Sequence, residues 1–286
     1  MRLNRWMLNL LQKYGYRPGT TWIKMKLSTK KCIYCNSPAR SEEHIFPRWV
    51  RDSVPWRFSH TAHTIRSFGT AGSGPLTRRR DLLQQKLRIL CAKCNNNWGS
   101  ALQNRSKPIL LPIIRGEGSS INNSVDATCV ATWATMMTIV MEFTNPRLVC
   151  TTATQRSRFR SEIKPIKGWQ VWMATMKEPA PCEFHVSAVG IYPTISAPAP
   201  SFAVTNAQST TFSIGRLLVH CFSHQEDMLD DVIVSSYQVP EMTQIWPAPD
   251  ENCELKQLST WDIVSIASRL ELRARHFHLP RSSNLS

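Results

Sequence analysis

Two Cys-x-x-Cys pairs, Cys32/Cys35 and Cys91/Cys94, constrain this chain more than any other feature. Two residues between thiols let one tight turn aim both sulfurs at a single ion, and two such turns complete the tetrahedral four-thiolate shell that Zn2+ accepts. Such a zinc has no open position for chemistry, so it is structural. The competing reading is two disulfides. Nine cysteines, an odd number, in a chain without a secretory signal speak against a disulfide framework.

Polar clusters flank both pairs: Ser41-Glu42-Glu43-His44-Ile45-Phe46-Pro47 follows the first, and Asn95-Asn96-Asn97-Trp98 the second. A carboxylate next to an imidazole on an extended segment points the two side chains to opposite sides, so Glu43 can hold a hard cation while His44 addresses a water. Asn95 directly follows Cys94, which lets the zinc turn fix its position, and its amide oxygen offers a second ligand for Mg2+ or Mn2+. Singly, Glu43-His44 reads as a surface pair and Asn95 as a cap for a helix over Trp98 to Gln103. Together, against both halves of a four-cysteine site, they read as a candidate catalytic centre.

Cys32-x-x-Cys35, Glu43-His44-Ile45-x-Pro47 and Cys91-x-x-Cys94-Asn95 followed by Trp98 resemble the zinc-containing branch of the HNH endonucleases over about a quarter of the chain. The resemblance implies a ββα-metal fold hung on the zinc. It also implies His44 as general base, Glu43 and Asn95 as ligands of the catalytic divalent ion, and products with 5′-phosphate and 3′-hydroxyl ends. The acid is Glu where many members have Asp, and the long separation of His44 from Cys91 implies an inserted loop.

Charge is segregated in the same direction. Of the net +15, residues 1–115 carry 22 Lys or Arg against 4 Asp or Glu, and residues 116–286 carry 13 against 16. A basic half containing the candidate site is the footprint of a polyanion partner, because neutralising phosphates releases counterions. The expected partner is nucleic acid, taken as double-stranded DNA. Arg48, Lys93 and the run Arg78-Arg79-Arg80 are candidate phosphate contacts. The run lies in an insertion, Arg48 to Arg88, that also holds a Gly69–Pro75 loop. His60 and His63 have no acidic or thiol partner between them and read as structural or solvent-exposed.

With 286 residues, 42% hydrophobic, the chain is long enough for two modest cores. The expected division is an amphipathic extension over 1–28, a nuclease domain over 29–115 and an α+β domain over 116–286. The extension carries a helical stripe, Leu3, Trp6, Met7, Leu10, Leu11 and Tyr14. No uninterrupted apolar run approaches the ~20 residues of a membrane span, so a soluble, cytoplasmic protein is expected.

Pro108 and Pro112 should end the nuclease domain. Beyond them the pattern predicts a very apolar helix from Ser124 to Phe143, capped by Ser124, and a shorter one from Gln155 to Ile163 whose Arg156, Arg158 and Arg160 read as solvated. Strands are expected over Trp169–Met176, Glu183–Tyr192, Ser201–Thr205, Thr210–Phe222, Asp231–Tyr237 and Gln244–Trp246. A closing helix over Ser259–Phe277 completes an antiparallel sheet with helices on one side. His220 and His224 would share a strand face ~13 Å apart, too far for one metal, and His185 reads as a sheet residue.

The expected fold class is therefore α+β: an N-terminal ββα-metal module on a four-cysteine zinc site, then a domain with an antiparallel sheet and flanking helices. The expected function is phosphodiester hydrolysis by a His general base and one divalent cation. The alternative is a non-catalytic zinc-ribbon DNA-binding protein, in which the Glu-His pair is incidental.

Overall fold

The computed structural model describes residues 31–54, 63–67, 76–80, 83–146, 149–189, 206–225, 237–250, 252–259 and 265–270, with 63–67 and 76–80 described as backbone. The Leu3–Tyr14 stripe, the Gly69–Pro75 loop, His60, the strand over Ser201–Thr205 and most of the strand and helix over Asp231–Tyr237 and Ser259–Phe277 lie outside the described residues. The fold is α+β, built mainly of antiparallel strand pairs.

Near the cysteine pairs the chain forms β1 (Ser41–His44), the short helix α1 (Arg48–Arg51), a two-stranded ribbon of β2 (His63–Ser67) and β3 (Leu76–Arg80), and β4 (Lys86–Leu90). β1 and β4 are antiparallel, with Ser41 opposite Leu90, Glu43 opposite Leu87 and His44 opposite Lys86. A π-helical turn over Cys94–Gly99 runs straight into α2 (Ser100–Arg115). α2 passes through Pro108 and Pro112 and stops at Gly116, whose φ is 81°. The helix is thus longer than the short one expected over Trp98 to Gln103, and both prolines lie inside it. Each proline costs a helix ~3 kcal/mol, but Leu102, Leu110, Ile113 and Ile114 are buried along the same helix, each gaining ~1.5–3 kcal/mol.

After β5 (Ser120–Ile121), α3 (Ser124–Glu142) is the core helix, buried without a break from Val130 to Glu142. By length and composition alone it would pass for a membrane span, but here protein covers it. Its cap is Asn123, one residue before the expected Ser124: the Asn123 side chain accepts the Asp126 N–H at 2.8 Å. α4 (Ala153–Glu162) starts on a capping box made by Thr152 and Gln155, which satisfies otherwise orphaned amides.

The sheet is a long ribbon, β6 (Trp169–Val189) against β7 (Ala207–His224). β8 (Thr243–Trp246) and β10 (Lys256–Leu258) share the other edge of β6, and β10 runs parallel to it; β9 (Cys253–Glu254) pairs with β5. Val171, Met173 and Val219 join the core that contains α3, while Trp172, Ala174 and Leu218 join a second cluster with Tyr237, Ile266 and Leu270. Alternate residues face opposite sides, so helical residues cover both faces and not the single face expected.

The ribbon also folds back on itself. A straight strand would hold Asn206 and Gln225 ~60 Å apart, yet the Gln225 N–H donates to the Asn206 carbonyl at 2.9 Å. The corner is Gly215, with φ 57°, where an added Cβ would lie 2.6 Å from the Ile114 carbonyl. Around it β6 spans Thr175 to Glu183 while β7 spans only Ser213 to Leu217. Pro179 and Pro181, which cannot serve a ladder, fall in that excess. Ser213 Oγ bonds the Pro181 carbonyl at 2.7 Å, and Arg216 donates to the carbonyls of Met176 and Lys177.

One apolar cluster runs from Cys32 and Phe46 through Trp133 to Phe212 and Ile245. The residues around the cysteines therefore share a core with the sheet beyond residue 116.

Candidate metal centre and the polar cluster beside it

The first cysteine turn is held by its own backbone. Cys32 N–H donates to Ser37 at 2.6 Å and Asn36 N–H to Cys32 at 3.0 Å, with Asn36 at φ 59°, a left-handed position that asparagine tolerates. Ile33 N–H donates to the Ile89 carbonyl at 3.0 Å, tying this turn to the end of β4. Cys91 leaves β4 there and Cys94 opens the π turn, its N–H 3.3 Å from Cys91 Sγ.

The four sulfurs lie within 4.8 Å of one another, with Cys35 3.5 Å from Cys91 and 3.6 Å from Cys94. All are free thiols, well beyond the ~2.05 Å of a disulfide. Sulfurs ~2.3 Å from a tetrahedral zinc stand ~3.8 Å apart. The donor set fits, and these four cysteines can hold a metal such as zinc.

The surroundings come from both ends of the chain. Tyr34, Trp98 and Phe159 form an aromatic triad, with Tyr34 and Trp98 edge to face at 4.9 Å and Trp98 and Phe159 at 5.9 Å. Arg156 is not solvated as its alternate-arginine pattern suggested: Nε donates to the Ile33 carbonyl at 3.0 Å, and Nη1 to the Thr151 carbonyl. Glu142 stands behind it, fully buried, accepting from Thr151 Oγ1 and from the amides of Cys150 and Thr151 at 3.3 Å. Burial pushes the Glu142 carboxyl up to about 7, against the pull of those hydrogen bonds and of Arg156. Arg158 does remain outside, paired with Glu162 at 2.5 Å.

Asn95 lies where the π turn meets β1. Its N–H bonds the Cys91 carbonyl at 3.0 Å, and its Nδ2 donates to Ser41 Oγ at 2.8 Å and to the Glu42 carbonyl at 3.3 Å. Burial lifts the Glu43 carboxyl to about 7, partly opposed by the nearby Asn95 side chain. Asn95, distant in sequence, is thus pinned against the strand that carries Glu43.

His44 is engaged elsewhere. Its Nε2 accepts from Arg48 Nε at 3.2 Å, so Nε2 is the unprotonated nitrogen. Nδ1 is buried without a well-aligned acceptor, although the Leu83 backbone is close enough to favour a protonated ring. Burial first, then the charges of Arg48 and Lys86, hold the imidazole below its usual pKa. α1, which carries Arg48, is pinned by Gln103: its Oε1 accepts from Trp49 Nε1 at 3.1 Å and from Trp133 Nε1 at 2.9 Å.

Arg48 and Lys93 are exposed, Lys93 between the second pair of cysteines. Sequence reasoning missed Lys86, opposite His44 in register, and Arg88. Both pair with Glu42, at 3.5 and 3.0 Å. Only the β1–β4 pairing across the insertion brings them to the site. It also missed Gln103, which no local pattern marks. His220 and His224 are no metal pair: His220 lies between Thr211 Oγ1 at 2.9 Å and Tyr237 OH at 3.0 Å, and His224 Nδ1 meets the Gln225 carbonyl.

Comparison with protein families, with curated proteins and with solved structures gave no match.

Proposed function

We propose that this chain is a metal-dependent endonuclease of HNH type, with β1, β4 and the helix begun at the second cysteine pair serving as its ββα-metal unit. The observation that carries this reading is the pair of hydrogen bonds that pin Asn95 to Ser41 and the Glu42 carbonyl of β1, the strand that carries Glu43 and a His44 whose Nε2 accepts from Arg48. A non-catalytic zinc ribbon has no use for a carboxylate and an amide converging next to a neutral imidazole on a basic surface.

In this account Glu43 and Asn95 would hold Mg2+ or Mn2+, which would supply positive charge to offset the negative charge that develops as the phosphodiester is cleaved. Arg48 exchanges its bond to His44 for one to a phosphate oxygen. The freed Nε2 takes a proton from water as the water oxygen bonds to phosphorus and the phosphorus to 3′-oxygen bond breaks. General-base catalysis of this kind contributes ~10²- to 10⁴-fold. Lys86, Arg88 and Lys93 line the approach for the backbone, and the zinc acts only as scaffold. Incubating purified protein with supercoiled plasmid, with and without Mg2+ or Mn2+, tests the reading: relaxation and linearisation should require the divalent ion.

A further inference from the structure

We propose that the β2–β3 ribbon reads the major groove and that the substrate is therefore B-form duplex DNA. This rests on the nuclease reading of the neighbouring site. The ribbon is inserted between α1, which carries Arg48, and β4, which carries Lys86 opposite His44. Both its ends are thus tethered to the elements that hold the candidate base.

β2 and β3 pair over all five residues without a bulge, from His63 opposite Arg80 to Ser67 opposite Leu76. Among the described strands they pair only with each other. β2 is the strand that approaches β6, which leaves β3, with its arginine run, as the outer strand. The register places Arg78 and Arg80 on one face with His63 and Ile65, and Arg79 on the other with Arg66. Both faces are therefore basic, and no Asp or Glu occurs between Asp52 and Asp81.

β2 has β6 beside it, and a ribbon whose register places arginines on both faces is matched by a polyanion on both sides. A groove supplies that arrangement. The major groove of B-DNA, ~12 Å wide, admits a two-stranded ribbon, whereas the ~6 Å minor groove does not. The major groove of A-form RNA is too deep and narrow to be read, and a single strand has no groove. Arginine in a major groove can in general address guanine edges or phosphates.

The test uses the full chain without divalent ion, so that nothing is cut, and measures anisotropy with labelled duplex DNA, duplex RNA and single-stranded DNA of one sequence. A fourth probe is the same DNA duplex with glucosylated 5-hydroxymethylcytosine, which fills the major groove. Wild type should bind plain duplex DNA about tenfold or more above the other three, in line with the discrimination available to base contacts. Joint Arg78→Ala, Arg79→Ala and Arg80→Ala should remove that preference and lower the salt slope by ~0.9 for each phosphate that is no longer neutralised. Joint replacement by Lys should restore the slope. Equal binding of plain and glucosylated duplex by wild type, or of DNA and RNA duplexes, overturns the proposal, and that arm does not depend on how the variants fold. Failure of the nuclease reading is separate: it appears as intact plasmid with every divalent ion, whatever the ribbon binds.

Discussion

Arg48, four residues beyond His44, donates from Nε to His44 Nε2 at 3.2 Å, so that nitrogen of the candidate base is the unprotonated one, and burial together with the charges of Arg48 and Lys86 holds the imidazole below its usual pKa. His44→Ala should lower cleavage by at least ~10²-fold while zinc content and DNA affinity stay near wild type, because a general base acts on the transition state. Single-turnover cleavage and anisotropy on the same preparations check this. Equal loss of binding and rate would move His44 to a binding role.

Asn95 is fixed beside the strand that carries Glu43, through Ser41 Oγ, the Glu42 carbonyl and the Cys91 carbonyl. Glu43→Ala and Asn95→Ala should each raise the Mg2+ or Mn2+ concentration needed for half-maximal residual cleavage, with little change in zinc content. Titrating the divalent ion in the plasmid assay measures it. An unchanged midpoint in both variants removes them from the ion site.

The four cysteines bring together two turns from separate segments of the chain at the edge of the shared core. Cys94→Ser should lose zinc by elemental analysis and melt at lower temperature, since binding energy at a structural zinc is folding energy. Wild-type zinc content together with wild-type melting would contradict the scaffold role.

Burial raises Glu142 to about 7, above its ordinary carboxylate value, so between those values the folded chain binds a proton that the unfolded chain releases. Stability contributed by this group is therefore present at low pH and is lost as pH rises toward 7, on the order of a few kcal/mol in all. Glu142→Gln should be flatter over that window than wild type in denaturant titrations, whereas parallel curves would show that Glu142 stays ionised.

Gly215 combines φ 57° with an approach of 2.6 Å between a would-be Cβ and the Ile114 carbonyl. Gly215→Ala should destabilise the fold by ~1–3 kcal/mol, read as a lowered melting temperature. A neutral effect would mean that the ribbon corner can open at no cost.

What the sequence made legible was local. Cysteine spacing announced the sulfur cluster, apolar periodicity announced α3, and β-branched runs announced β6 and β7. What stayed hidden depends on tertiary context. Pro108 and Pro112 look like helix stops until the burial of Leu110 and Ile113 is known. Arg156 looks solvated because its partners, the Ile33 carbonyl and Glu142, come from distant segments. Lys86 reaches His44 only through strand pairing, and the sharp ribbon corner was marked by no more than Gly215 and two prolines in β6. Near the candidate site, the cysteine spacing could be read in advance, but the bonds of Asn95 to Ser41 and the Glu42 carbonyl and the hold of Arg48 on His44 could not.

The most direct measurement is cleavage of supercoiled plasmid by wild type and by His44→Ala, each with Mg2+, with Mn2+ and with EDTA. The account predicts nicked and linear products from wild type with the divalent ion alone, and intact plasmid from His44→Ala under all three conditions despite normal zinc content. Cleavage by His44→Ala at the wild-type rate, or intact plasmid with wild type while DNA binding remains tight and salt-dependent, would contradict it and leave a zinc-ribbon DNA-binding protein as the better description.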